Sequence, residues 1–150
     1  MKTMLLAAAL CLSLASCATA DRLSSSDKLA LYRAHAGEPV RDFRYFGQLN
    51  GWTELGDSAL AVWTRPAEAW LLELGGPCMD LAYAPTIGVT NHMGTVSARF
   101  DSVIVSGGSM GMRVPCRIQS IRPLDVKALK ASERELREAR VQEREAASQE

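Results

Sequence analysis

The chain has 150 residues, 47% hydrophobic and 23% charged, with 17 basic and 17 acidic side chains and a formal net charge of zero. That length suits one domain, and the mix of apolar and charged residues is that of a folded globular protein. Neutral, interspersed charge excludes nucleic-acid binding through a basic stripe.

The chain opens as an export signal. Lys2 supplies a short positive region, and residues 4–14 form an apolar stretch rich in alanine and leucine. That stretch suits a signal peptide and falls short of the roughly 20 residues a membrane-spanning helix needs. It ends Leu14-Ala15-Ser16-Cys17, an apolar residue and two small ones before a cysteine. This is the pattern of a lipobox, in which the thiol must carry a diacylglyceryl group before cleavage, so Cys17 is the expected lipidation site. Cys11 is the poorer candidate, because bulky Leu10 precedes it. Ala18-Thr19-Ala20 keeps a second outcome open, ordinary cleavage before Asp21 and a soluble periplasmic protein. Ala18 stands where an aspartate would favour inner-membrane retention, so the expected address is the periplasmic face of the outer membrane.

Export simplifies the cysteines. Cys11 leaves with the signal peptide and Cys17 is consumed by lipid, which leaves Cys78 and Cys116 to form one structural disulfide in an oxidising compartment. The competing readings are a metal site and a redox pair. Neither cysteine has further ligands at short spacing, and the two do not form C-x-x-C. No metal or other cofactor is expected.

Beyond a short tether, Ser24-Ser25-Ser26-Asp27 reads as a helix start, with Leu29, Tyr32 and Ala36 on one face and Gly37 and Pro39 stopping the run. From Asp42 the period changes to two. Residues 42–49 read as a strand with Phe43 and Tyr45 on one face, and Asn50-Gly51 as a hairpin returning through residues 52–55. Gly56-Asp57 turns the chain again. Residues 58–64 and 69–74 flank a turn at Arg65-Pro66-Ala67-Glu68. Further strands are expected at residues 84–90, 96–100, 102–106 and 113–121. The expected fold is α+β, mainly β: a short N-terminal helix, a meandering antiparallel sheet or small partly closed barrel, and a charged C-terminal helix.

Asp125 can cap that last helix, and Glu133 with Arg137 is a favourable i,i+4 pair. Leu129 and Leu136 lie seven apart, with Glu143 at the next such position. The first turns are therefore expected to pack through Leu124, Ala128 and Leu129, and the end to be a solvated, fraying helix. The layout is a signal peptide over 1–16, a lipidated tether over 17–23, a disulfide-stapled β-rich domain over 24–124 and a charged tail over 125–150.

Motifs that resemble chemistry are weak. Gly107-Gly108-Ser109-Met110-Gly111 matches G-x-S-x-G, but a strand pattern follows it and no histidine occurs beyond His92. Ser25-Ser26-Asp27-Lys28 matches S-x-x-K without the partner motifs that chemistry needs. His35 falls in the last turn of the first helix and His92 beside a turn. Trp52, Trp63 and Trp70 concentrate in the first half of the sheet. They read as a core layer or, alternatively, as ligand-facing aromatics lining a pocket or peptide-binding edge.

Several segments carry a resemblance. These are residues 31–37 (LYRAHAG), 43–47 (FRYFG) with Trp52, 61–66 (AVWTRP), 70–74 (WLLEL) and 116–125 (CRIQSIRPLD). Together they resemble a family of small Gram-negative lipoproteins known only as a domain of unknown function. The resemblance covers about residues 29–129. The two mature cysteines fit its pattern, and it implies export but no activity, ligand or active site.

The expected function is that of a non-enzymatic, lipid-anchored protein with an interaction or structural role in the cell envelope. Its partners would be the membrane, through the anchor, and an envelope protein. A small-ligand or peptide-binding module is the alternative, and a serine hydrolase using Ser109 and His92 the remote one.

Overall fold

The computed structural model describes residues 23–107 and 113–148. The signal peptide, Cys17, most of the tether and Ser109 lie outside the described residues. Helix α1, Ser25–Ala34, begins where Ser24 caps it, its hydroxyl accepting from the Asp27 backbone N–H at 3.1 Å. It ends at His35. Gly37 then donates its N–H to the Pro123 carbonyl at 2.8 Å, and a Cβ at Gly37 would stand 3.1 Å from Pro123 Cγ. A side chain at this position would press on the Pro123 ring, so glycine eases the close approach of the two segments.

The strands are β1 Asp42–Arg44, β2 Gly51–Glu54, β3 Ala59–Arg65, β4 Glu68–Leu74, β5 Thr86–Val89, β6 Thr95–Ser97, β7 Ser102–Ser106 and β8 Val114–Leu124, followed by helix α2, Val126–Ala147. Six of them form one antiparallel sheet in the order β2-β3-β4-β8-β7-β5, and β1 pairs with β6 in a separate ribbon. The fold is mainly β, a curled half-barrel with two helices, as the residue pattern implied.

The meander holds only through β2, β3 and β4. The long strand β8 then joins the two halves: its later residues pair with β4 and its earlier ones with β7. Pro66-Ala67 makes the tight β3–β4 turn. The expected Asn50-Gly51 hairpin does not form. Residues 42–49 yield only the three residues of β1, which pairs with β6 through Phe43 opposite Val96. Phe43, Tyr45 and Val96 are all buried there. Burying those side chains outweighs what a local turn contributes, and long-range pairing wins over turn propensity.

Both faces of the sheet are covered. One face holds Leu60, Val62, Leu72, Ile118 and Ile121 with Phe43 and Val96 of the ribbon. The other holds Ala59, Ala61, Ala69 and Leu71 beneath Tyr32 of α1 and Val126 and Leu129 of α2. Strand β3 is therefore an uninterrupted buried run, Ala59 to Val62, because alternation in size replaces alternation in polarity. Small alanines on the helix side let α1 and α2 approach the sheet closely.

Cys78 and Cys116 are joined in a disulfide, with Cα atoms 5.7 Å apart and 38 positions between them in sequence. It continues the β4–β8 ladder just beyond Leu74 opposite Ile118 and the Gly75 N–H to Arg117 carbonyl bond.

Candidate functional site

Hairpin register decides where the tryptophans go. In the β3–β4 and β2–β3 pairs, Val62 stands opposite both Trp70 and Trp52, so these three share the barrel face. Trp70 stacks on Phe43 with centroids 5.1 Å apart and planes at 16°. Trp63 has the other parity and faces the helices, meeting Tyr32 edge to face at 6.3 Å. The three indoles therefore do not form one ligand-facing cluster. Of the three, Trp63 lines a groove.

That groove, 610 Å³ in volume, lies between the outer half of α2, the start of α1 and strands β2 and β3. Its size falls within the ordinary range for a ligand site, about 300–1,000 Å³. The floor is Trp63, Thr53 and Tyr32, with Gly51 opposite Trp63 leaving the indole uncrowded by a cross-strand side chain. Leu23, Leu136 and Val141 add apolar wall. Four cations, Lys28, Arg137, Arg140 and Arg144, ring the opening, against one carboxylate, Glu133.

The carboxylate is already engaged. Tyr32 donates its phenolic proton to Glu133 Oε1 at 3.0 Å. Burial first, and then the Glu133 charge, hold that phenol well above its usual range, so it stays a neutral donor. The expected Glu133–Arg137 pair is not made; Glu133 turns inward to the phenol instead. Lys28 pairs with Glu54 at 3.4 Å. Arg137 and Arg140 make no ion pair among the described residues.

Helical spacing explains the basic wall. Leu129 marks the face of α2 turned to the sheet, and residues 133, 136, 137, 140 and 144 continue it at i+4, i+7, i+8, i+11 and i+15. Leu129 is buried. Past it, where the sheet no longer covers the helix, the same face carries arginines. The sequence reading counted only the leucines and missed this stripe, although its spacing was legible.

Two further contacts join the helices. His35 Nε2 lies 3.0 Å from Ser132 Oγ, and the His35 carbonyl accepts from the Asp125 N–H at 2.9 Å. A serine–histidine contact invites a nucleophilic reading. Ser132 sits inside α2, however, where neighbouring N–H groups are committed to the helix and cannot form an oxyanion hole. His92 is exposed on the turn before β6, exchanging backbone bonds with Thr95. Among the described residues no group of three or more His, Cys, Asp and Glu could hold a metal ion, and no helix is long and apolar enough to cross a membrane.

A second cavity of 570 Å³ lies between residues 39–42, the loop at 97–100 and Gln119-Ser120 of β8. Arg99 there adopts φ 69°, unusual for a side-chain-bearing residue. Its carbonyl accepts from Arg117 and its N–H donates to the Ile118 carbonyl. Asp101 pins the same loop, accepting from Thr90 Oγ1 and the Ser97 N–H, each at 2.8 Å. These bonds account for the loop's conformation as structure.

Comparison with known proteins places the chain. It belongs to a family described as a family of unknown function (DUF6491), whose model matches residues 1–140. That span takes in the whole sheet and α2 as far as Arg140. No curated protein matches the chain, and no solved structure matches it.

Proposed function

We propose that this member of the family is a Gram-negative lipoprotein, held by acyl chains on Cys17 at the periplasmic face of the outer membrane. Its role there is to bind, through the groove beneath α2, and it performs no catalysis. The observation that carries the reading is the groove: an indole floor and a cationic wall converge beside Leu23, six positions after the cysteine of the lipobox. The disulfide supports export, because a paired structural cystine suits an oxidising compartment.

Two measurements test it. The intact mass of membrane-extracted protein should correspond to a chain starting at Cys17 plus acyl groups. A chain starting at Asp21 without lipid would refute the anchor. A photoreactive amino acid placed at Arg140 should form a specific adduct in intact cells, and one at Arg134, on the outer face of α2, should not. Equal labelling at both positions, or none at either, would refute the groove as the contact surface.

A further inference from the structure

The geometry points to an anionic phospholipid of the bilayer as the occupant of this groove, its phosphate on Arg137 and Arg140 and an acyl chain along Leu136 and over Trp63. The assignment rests on the groove as the binding surface and names what fills it.

Three observations carry it. The first is charge complementarity. Arg137 and Arg140 face the sheet side of α2 without ion-pair partners among the described residues. Arginine forks match phosphate oxygens, and partial enclosure strengthens that attraction. The second is the apolar floor. A free phosphate would have no use for the Trp63 face, Leu136 and Leu23, whereas an acyl chain does. Leu136 and Val141 remain 39% and 48% exposed on this part of the helix, so covering them is favourable.

The third is reach. Leu23 lines the groove, and the six steps from Cys17 span at most about 20 Å when fully extended. A chain anchored at Cys17 therefore holds the groove mouth close to the headgroup layer. That reach is an upper limit; a tether this short lets the groove mouth come to within a Debye length of the leaflet, about 8 Å at physiological salt, where the basic wall meets its negative potential. The overhanging half of α2 thus presents its arginines where phospholipid phosphates are concentrated.

The test uses the full chain carrying Cys17→Ser, so that no acyl anchor can hold it to a membrane. In vesicle flotation it should bind phosphatidylglycerol-containing vesicles and not vesicles of phosphatidylcholine alone. Arg137→Gln with Arg140→Gln should weaken binding roughly 30-fold, equivalent to about 1 kcal/mol for each arginine at an anionic surface. Lys127→Gln with Arg134→Gln makes the same change in net charge on the outer side of α2 and should leave binding within about twofold; both double variants should melt as the parent does.

Vesicles with brominated acyl chains should quench tryptophan fluorescence in the parent, and Trp63→Phe should abolish that quenching. Absence of flotation, equal binding to phosphatidylcholine, or equal weakening by the two double variants would overturn the proposal. Binding without quenching would overturn it as surface adsorption. Inorganic phosphate that protects Arg137 and Arg140 from chemical modification, with no quenching by lipid, would overturn it as a free-phosphate site. Intact mass of the wild-type chain reads the anchor separately, so loss of the anchor reading and loss of the groove assignment are distinguishable.

Discussion

The disulfide offers the most quantitative test of how this fold is held. Cys78→Ala with Cys116→Ala removes a cross-link closing 38 positions, and alanine avoids leaving a hydroxyl at buried Cys78. Within that loop lie β5 and β7, which return to the rest of the sheet through β7 on β8, and β6, which pairs with β1. In the unfolded chain the bond restricts that whole excursion. Loop-closure entropy for this separation is about 13 cal/mol/K, or about 4 kcal/mol at room temperature. Against a total stability of about 5–15 kcal/mol, that loss is a large share. Urea unfolding followed by tryptophan fluorescence should show the midpoint fall by about 2 M, at an m-value of about 2 kcal/mol/M. The β4–β8 ladder continues to Leu74 opposite Ile118 without the cross-link, so the sheet should still form at low urea. A loss below about 1 kcal/mol would refute the reasoning. It would mean that the β5–β7 segment is confined in the unfolded chain by something other than the bond.

Leu129→Ala should cost about 2–5 kcal/mol by the same urea assay, because the side chain is 1% exposed between α2 and the alanine face of the sheet; a cost near zero would mean that α2 is not docked. Asp101→Ala should cost about 2–3 kcal/mol, since the Ser97 N–H and the Thr90 hydroxyl both lose a charged acceptor. Unfolding measurements that place this variant level with the parent would remove the loop-pinning role. Stability should also fall in alkali. Burial raises the phenols of Tyr32 and Tyr45, with Glu133 adding to the effect at Tyr32, so the folded state keeps protons that the unfolded state releases. These contributions are fully present below about pH 10, the unfolded-state value, and decline above it by up to about 1.4 kcal/mol per pH unit for each phenol. Tyr32→Phe should flatten that decline, and an identical slope in the variant would count against the assignment.

How much of this was legible in the residues depends on which signals are local. Ser24 and Asp125 cap their helices as their side-chain chemistry dictates, and Pro66-Ala67 turns β3 into β4. Strand β7 was read to the residue, because Val103 and Val105 alternate with half-exposed neighbours. Where the deciding term is non-local, local signals mislead. Asn50-Gly51 carries strong hairpin chemistry, yet Phe43 finds Val96 across more than fifty positions and β1 leaves its sequence neighbour. No window-based pattern contains that pairing. The tryptophans are a different case. A tight turn at Pro66-Ala67 carried up the hairpin without interruption would set Trp63 opposite Trp70 and Val62 opposite Leu71; the register shift between Trp63 and Arg65 moves the pairing by one, sets Val62 opposite Trp70 and turns Trp63 to the other face. The separation of Trp63 from Trp70 therefore hangs on one bulge, which neither the turn residues nor strand parity announces.

Helix α2 packs through its first turns, as Leu124 and Leu129 led one to expect, and projects beyond them. Val126 and Leu129 are buried with Tyr32 and Leu71 in one cluster, so the first turns belong to the domain. Glu133 and Ser132 then bond to Tyr32 and His35 of α1, which fixes the direction in which the remainder of the helix projects. Beyond those contacts the helix gains nothing from the sheet, and its inner face changes from leucine to arginine. An isolated folded domain would be served better there by apolar residues continuing the Leu129 stripe. Arginines on an inward face forgo that burial, a cost that the proposed anionic, partly apolar occupant of the groove would offset. One helix thus serves two ends: its base closes the core, and its projection, aimed by the Tyr32–Glu133 bond, builds the basic wall of the groove.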